Sequence, residues 1–317
     1  MTELTTLPAP SADPRPDQQN SQSQEEQDQK HTPCDLPQPK LRIHVEELRH
    51  SASGPFFVLI PDVAGVFDKA LENILQYLYT IPIHDSESPE KDTGGYRTKP
   101  FFLPSVPPTR SVTLLLRDIA GVAYTTGTEL DDDHKEIHLS LQYIEHCVSK
   151  DQAAKADPLH ELVGVITHEL VHCYQHTTPP NAVENDKKVP RPPVGLIEGI
   201  ADFVRLKAGL GPPHWKRPKS ASDRAKKWDA GYQYTAFFLA WIEDVWAGEG
   251  SIGMLNDRLL RTGYVGEDTT KGEGESGFWA GLFGAGVADL WDEYGKWLDH
   301  DHGEHDEKVE SSATPKD

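Results

Sequence analysis

The sequence predicts an α+β fold. Strand-like alternation dominates the first half of the 317-residue chain and amphipathic helical periodicity the second, with one helix inserted early. No internal repeat is present. We therefore expect an N-terminal mixed β-sheet with an early helix, followed by a mainly helical C-terminal part.

Residues 1–39 are rich in Pro, Gln, Ser, Asp and Glu. Such a segment buries too little apolar surface to offset its ordering entropy and reads as disordered. The folded domain is expected over 40–300. It opens with LRIHVEEL (41–48), which alternates like a strand. PDVAGVFDKALENILQYLYT (61–80) reads as an amphipathic helix with Pro61 near its start. Residues 84–109 hold Pro, Gly, Ser and charge, so they read as a long loop. Residues 111–127 are strand material broken around Gly121. KEIHLSLQYI (135–144) alternates again, with Ile137, Leu139, Leu141 and Tyr143 on one face. The Asp131-Asp132-Asp133 run before it reads as a solvated turn, with a calcium ligand as the alternative.

From there the chain is helical. A helix is expected over 157–176, with Asp157 as N-cap and Pro158 in the first turn. A Pro-rich loop follows over 177–194. GLIEGIADFVRLKAG (195–209) is the next helix, closed by Gly209. Two more are expected over 228–246 and 251–263, and 276–298 reads as a loop leading into a last helix. Residues 301–317 read as a disordered acidic tail, whose histidines (His302, His305) are solvated.

Composition narrows the function. The formal net charge of -20 repels phosphate, which argues against nucleic acid and anionic membrane as partners. The three cysteines, Cys34, Cys147 and Cys173, are too sparse for a disulfide framework. The N-terminus lacks a basic and apolar signal sequence, and no run is long enough to span a bilayer. This reads as a cytoplasmic protein, with signal-independent secretion as the other route. The sequence is silent on oligomeric state.

The chemistry is concentrated in THELVHCYQH (167–176). His168, Glu169 and His172 form HExxH. On a helix, residues four apart lie one turn apart on one face, so both imidazoles reach one metal ion. Glu169 lies beside them and reaches a water without ligating. This suits Zn2+. The same helix is apolar at Leu162, Val163, Ile166, Leu170 and Cys173, so its polar face needs a partner. A third ligand is required. His168, His172 and His176 together span about 12 Å of helix, too far for one ion. Glu198, on the next helix, is the preferred ligand, with His176 as the alternative. Asp202, four residues on, lies on the same face and would accept the N–H of a ligating histidine. Gly199 and Ala201 are small and let the two helices approach. The longer HExxHxxGxxH pattern fails, since position 178 is Thr. Cys173 reads as a buried thiol, Gln175 as a residue that orders the helix end or touches the site, and Arg205 as a partner of Asp202 or a solvated side chain.

HELVHCYQH, GLIEGIADFVRL, AGYQYTAFFLAWIE and ADLWDEYGKWL together resemble the plant and fungal basic secretory protein family, over roughly 40–300. Its members look like gluzincin-type zinc peptidases with a zincin-like fold. The family pattern falls on His168, Glu169, His172 and Gln175, then on Glu198, Gly199, Ala201, Asp202, Val204 and Arg205. This chain is acidic where the family name implies a basic protein. The resemblance implies hydrolysis of a peptide or protein substrate, with Glu169 as general base. It also implies an oxyanion donor at Tyr232, with Tyr234 and His214 as substitutes, and a cleft rim formed by the strand 135–144. The competing class is a non-catalytic binding or defence-related protein of the same fold. Glu169 favours the enzyme, because a binder has no use for the base.

Overall fold

The computed structural model describes residues 37–81, 102–128, 130–153, 155–180, 189–265 and 277–311, the last eleven as helix backbone alone. Expectations for 1–36 and for most of the 84–109 loop lie outside the described residues, as does 181–188 of the Pro-rich loop. The fold is α+β, as the patterning predicts.

A four-stranded sheet comes first. Its strands are β1 (Lys40–Val45), β2 (Ser111–Arg117), β3 (Ala123–Thr128) and β4 (Asp131–Ser140), in the spatial order β1-β2-β4-β3. β1 and β4 both run parallel to β2, and β3 runs antiparallel to β4. Leu114, Leu116, Ile137 and Leu139 are fully buried on the helix-covered face.

The early helical segment is two helices, α1 (Ser53–Leu59) and α2 (Val63–Leu78). Asp62 caps α2 by accepting from the Gly65 N–H. The expected strand 111–127 divides at Gly121, whose φ of 89° turns the chain into β3. The strand expected over 135–144 is shifted. It begins at Asp131 and ends at Ser140, whose hydroxyl caps a new helix, α3 (Leu141–Val148). Leu141 and Tyr143 thus belong to a helix, because an N-capping serine overrides short-range alternation. The aspartate run is strand, not turn: Asp131 and Asp133 pair with Arg110 on the neighbouring β2 side.

A short turn, α4 (Lys150–Ala153), leads to α5 (Pro158–Tyr174), where Asp157 accepts from the Leu159 N–H and Pro158 opens the first turn. Then come α6 (Val194–Lys207), α7 (Tyr232–Trp241), α8 (Ser251–Arg261), α9 (Phe278–Phe283) and α10 (Val287–Ser311). The helix expected from 228 starts only at Tyr232, because Gly231 and Tyr232 both have positive φ (85° and 48°). Its last turns become a π-helical segment, Ile242–Ala247. The final helix runs past 300 to Ser311. Among the described residues, no helix is long and apolar enough to cross a membrane.

Two glycines set the helix spacing at the site. A Cβ on Gly199 would lie 2.3 Å from Thr235 Cγ2, so Gly199 admits α7, not α5 as expected. The α5–α6 approach depends on Gly164, where a Cβ would meet the Arg205 Nε at 2.5 Å.

Candidate metal centre

α5 carries its core residues, among them Leu162, Ile166, Leu170 and Cys173, on one side. The opposite side turns His168, Glu169 and His172 into a cavity of about 880 Å³. α6 packs alongside and adds Glu198 and Asp202.

The three expected ligands converge. His168 Nε2 lies 3.1 Å from His172 Nε2 and 3.1 Å from Glu198 Oε2, and His172 Nε2 lies 3.7 Å from the same carboxylate oxygen. Tetrahedral zinc with bonds of about 2.1 Å needs ligand atoms about 3.4 Å apart. The observed edges bracket that value, so the donor set fits the ion in both chemistry and spacing. No other group of three or more such side chains comes as close together among the described residues.

Each ring is held from behind. His168 Nδ1 donates to Asp202 Oδ1 at 2.6 Å. The Gln175 amide lies 2.6 Å from His172 Nδ1, and its Oε1 is buried without a partner. Turning that amide over puts Oε1 on Nδ1–H and leaves the Nε2 lone pair facing the other ligands, the tautomer a metal requires. Burial alone would pull the His168 pKa down, but its bonds to Asp202 and Glu198 outweigh burial and raise it to about 9. Burial would likewise raise Glu198, yet the two imidazoles outweigh it and lower Glu198 to about 2. Imidazoles set against carboxylates in this way make a setting that a bound cation would also satisfy.

Glu169 stands apart from this triangle. Its carboxylate Oε2 and its backbone carbonyl both lie within reach of the Thr125 hydroxyl, at 2.7 and 2.9 Å. Thr125 lies on β3, one of the sheet's two edge strands, which lines the cavity through Ala123, Tyr124 and Thr125, with Val122 just before it.

A family model described as a peptidase of plants and bacteria matches residues 38–294. The chain belongs to this family. That agrees with the family resemblance read from the HELVHCYQH and GLIEGIADFVRL blocks, and it makes peptide hydrolysis the class of activity. No curated protein and no solved structure matches the chain.

In this family member the other expected residues fall into place unevenly. Tyr232 borders the cavity, and its ring stacks over that of His168 with centroids 6.2 Å apart. The negative charge of Glu198, then burial, Asp202 and Glu169, raise its pKa, so the phenol stays a donor. Its positive φ is rare for a residue with a side chain. Tyr234 and His214 line the same cavity. His176 lies away from the His168, His172 and Glu198 triangle: its Nε2 bonds the Ser105 carbonyl at 2.8 Å. Cys173 is buried, and burial pushes its thiol up.

Two expectations are corrected, and one open choice is resolved. Arg205 pairs with Glu161 on α5 rather than with Asp202, which is engaged by His168. Gln175 takes both roles open to it: it caps the end of α5 and its amide touches His172. The strand at the cleft rim is β3, because β4 lies between β2 and β3 and has no free edge. Sequence reasoning missed Thr125. Its only local signal was a threonine pair in a short strand, 44 residues from the glutamate it holds.

Proposed function

We propose that this chain is a zinc-dependent peptidase of the gluzincin type, with His168, His172 and Glu198 holding the metal and Glu169 as general base. The observation that carries this reading is the triangle of two imidazole nitrogens and one carboxylate oxygen, with edges of 3.1, 3.1 and 3.7 Å. When bound, zinc supplies a Lewis acid that acidifies a water and polarises a peptide carbonyl.

The remaining chemistry belongs to the chain. Asp202 and Gln175 hold the two imidazoles in the ligating tautomer. Thr125 steers the Glu169 carboxylate, which takes the proton of the attacking water and delivers it to the departing amine nitrogen. Tyr232 donates its phenolic hydrogen to the carbonyl oxygen as charge builds there. Among the described residues no strand pairs with the outer edge of β3, and that edge aligns an extended peptide by main-chain hydrogen bonds. Glu169, buried and held by a hydroxyl, favours this over a non-catalytic role.

Glu169→Gln is the test. The variant should keep about one zinc per chain by elemental analysis and lose at least about a thousandfold in cleavage of casein or a peptide library. Cleavage equal to the parent would refute the mechanism.

A further inference from the structure

The cavity extends well past the three ligands. Along α5, Glu161, Val165, His168 and His172 all line it. Their spacing of four, three and four residues keeps them on one helix face. The cavity therefore follows α5 toward its N-terminus for about 10 Å beyond His168.

That far end is built from parts the proposed chemistry leaves unused. Tyr143 and Trp215 supply aromatic walls, and Val165 an apolar floor. At its base lies a buried ion pair, Arg205 Nη2 to Glu161 Oε1 at 3.2 Å. The Tyr143 hydroxyl donates to the same oxygen at 2.9 Å, and Arg205 Nε donates to the Leu210 carbonyl at 3.0 Å. The guanidinium lies over the bare Cα of Gly164 and against the Trp215 ring, 5.2 Å from its centroid. Its position is thus fixed from four sides.

Yet each partner keeps one end free. Among the described residues, neither Arg205 Nη1 nor Glu161 Oε2 has a protein partner, and neither is sealed from solvent. The end of the cavity therefore presents one donor and one acceptor whose charges cancel. A substrate lysine or glutamate entering here would bury a charge against a neutral pair. An aliphatic side chain would cover both groups without bonding either. A carboxamide offers an acceptor to Nη1–H and a donor to Oε2, and satisfies both. Gly164, on which the guanidinium rests, lies about 6 Å along the helix from His168, within reach of a side chain next to the scissile bond.

We propose that this end of the cavity is a specificity pocket that selects glutamine or asparagine beside the bond being cut. The inference rests on the peptidase reading of the adjoining site.

The experiment profiles the zinc-loaded full chain on a peptide library, then measures kcat/KM on matched peptides with Gln, Glu, Lys or Leu at the selected position. The parent should prefer Gln over Glu and Lys by about tenfold or more. Glu161→Gln keeps the oxygen that Tyr143 and Arg205 bond but leaves the guanidinium uncompensated. It should reverse the Gln-to-Glu preference toward Glu. A uniform drop on every peptide would overturn the proposal and leave the pair as a clamp between α5 and α6. If that variant does not accumulate, the parent's profile decides, since equal cleavage of Gln and Glu peptides overturns the pocket alone. In that case cleavage that is zinc-dependent and lost in Glu169→Gln leaves the peptidase reading standing. No cleavage of any peptide would overturn both.

Discussion

The two ends of α6 bury carboxylates in opposite ways. Over its first nine residues, Glu198 and Asp202 meet two imidazoles at 2.6–3.7 Å, and Glu198 is drawn down to about 2 despite its partial burial. Near its end, Lys207 offers one ammonium to two acids. Asp244 takes the shorter contact, 2.7 Å, and the buried Glu243 the longer, 3.4 Å. There burial wins, and Glu243 rises to about 7. Depth and pairing decide protonation together: Glu198 is half-buried between two imidazoles, whereas Glu243 is almost fully buried with one ammonium at 3.4 Å. An acid kept ionised by imidazoles is a ready ligand, whereas one that holds its proton to neutral pH is only a core residue.

That contrast can be broken at its strong end first. Glu198→Ala should abolish stoichiometric zinc after dialysis, measured by elemental analysis, while His176→Ala should leave it intact. Zinc loss in the second variant instead would move the third ligand to His176. A smaller effect is expected from the residues behind the rings. Asp202→Asn and Gln175→Leu should each weaken zinc by about 10- to 100-fold in competition with a chromophoric chelator. Unchanged affinity in both would mean that the rings need no outside support.

The weak end gives the smallest effect, and its sign is definite. Unfolded Glu243 ionises near the ordinary value of 4.5, whereas the native residue keeps its proton to about 7. Between those values the native state binds more protons, so Glu243 makes stability fall as pH rises from 4.5 to 7. Above 7 the cost is constant. Glu243→Gln removes it, and should be more stable than the parent by about 2–3 kcal/mol at pH 8 in urea unfolding. The difference should shrink toward zero as pH falls to 4.5. A variant less stable at pH 8 would show that the Lys207 pairing outweighs burial.

How much of this was legible in the sequence follows from range. HExxH is local, and its helix was bounded by its own cap, Asp157, and by Pro158. Glu198 and Asp202 were legible because four-residue spacing on a second helix mirrors the histidine pair. What escaped depends on contacts distant in sequence. Thr125 reaches Glu169 only once β3 closes the sheet edge, and Arg205 finds Glu161 only across Gly164. Strand order is likewise not written in alternation, so β4 was taken for the rim that β3 provides. At Ser140, local capping overrode a periodicity that continued through Tyr143.

The central claim is the ligand set, and zinc-edge anomalous diffraction from crystals of the zinc-loaded protein tests it most directly. The account predicts one strong peak about 2.0–2.2 Å from His168 Nε2, His172 Nε2 and a Glu198 carboxylate oxygen. A peak centred on His176 with Glu198 turned away, or no peak between α5 and α6, would contradict it.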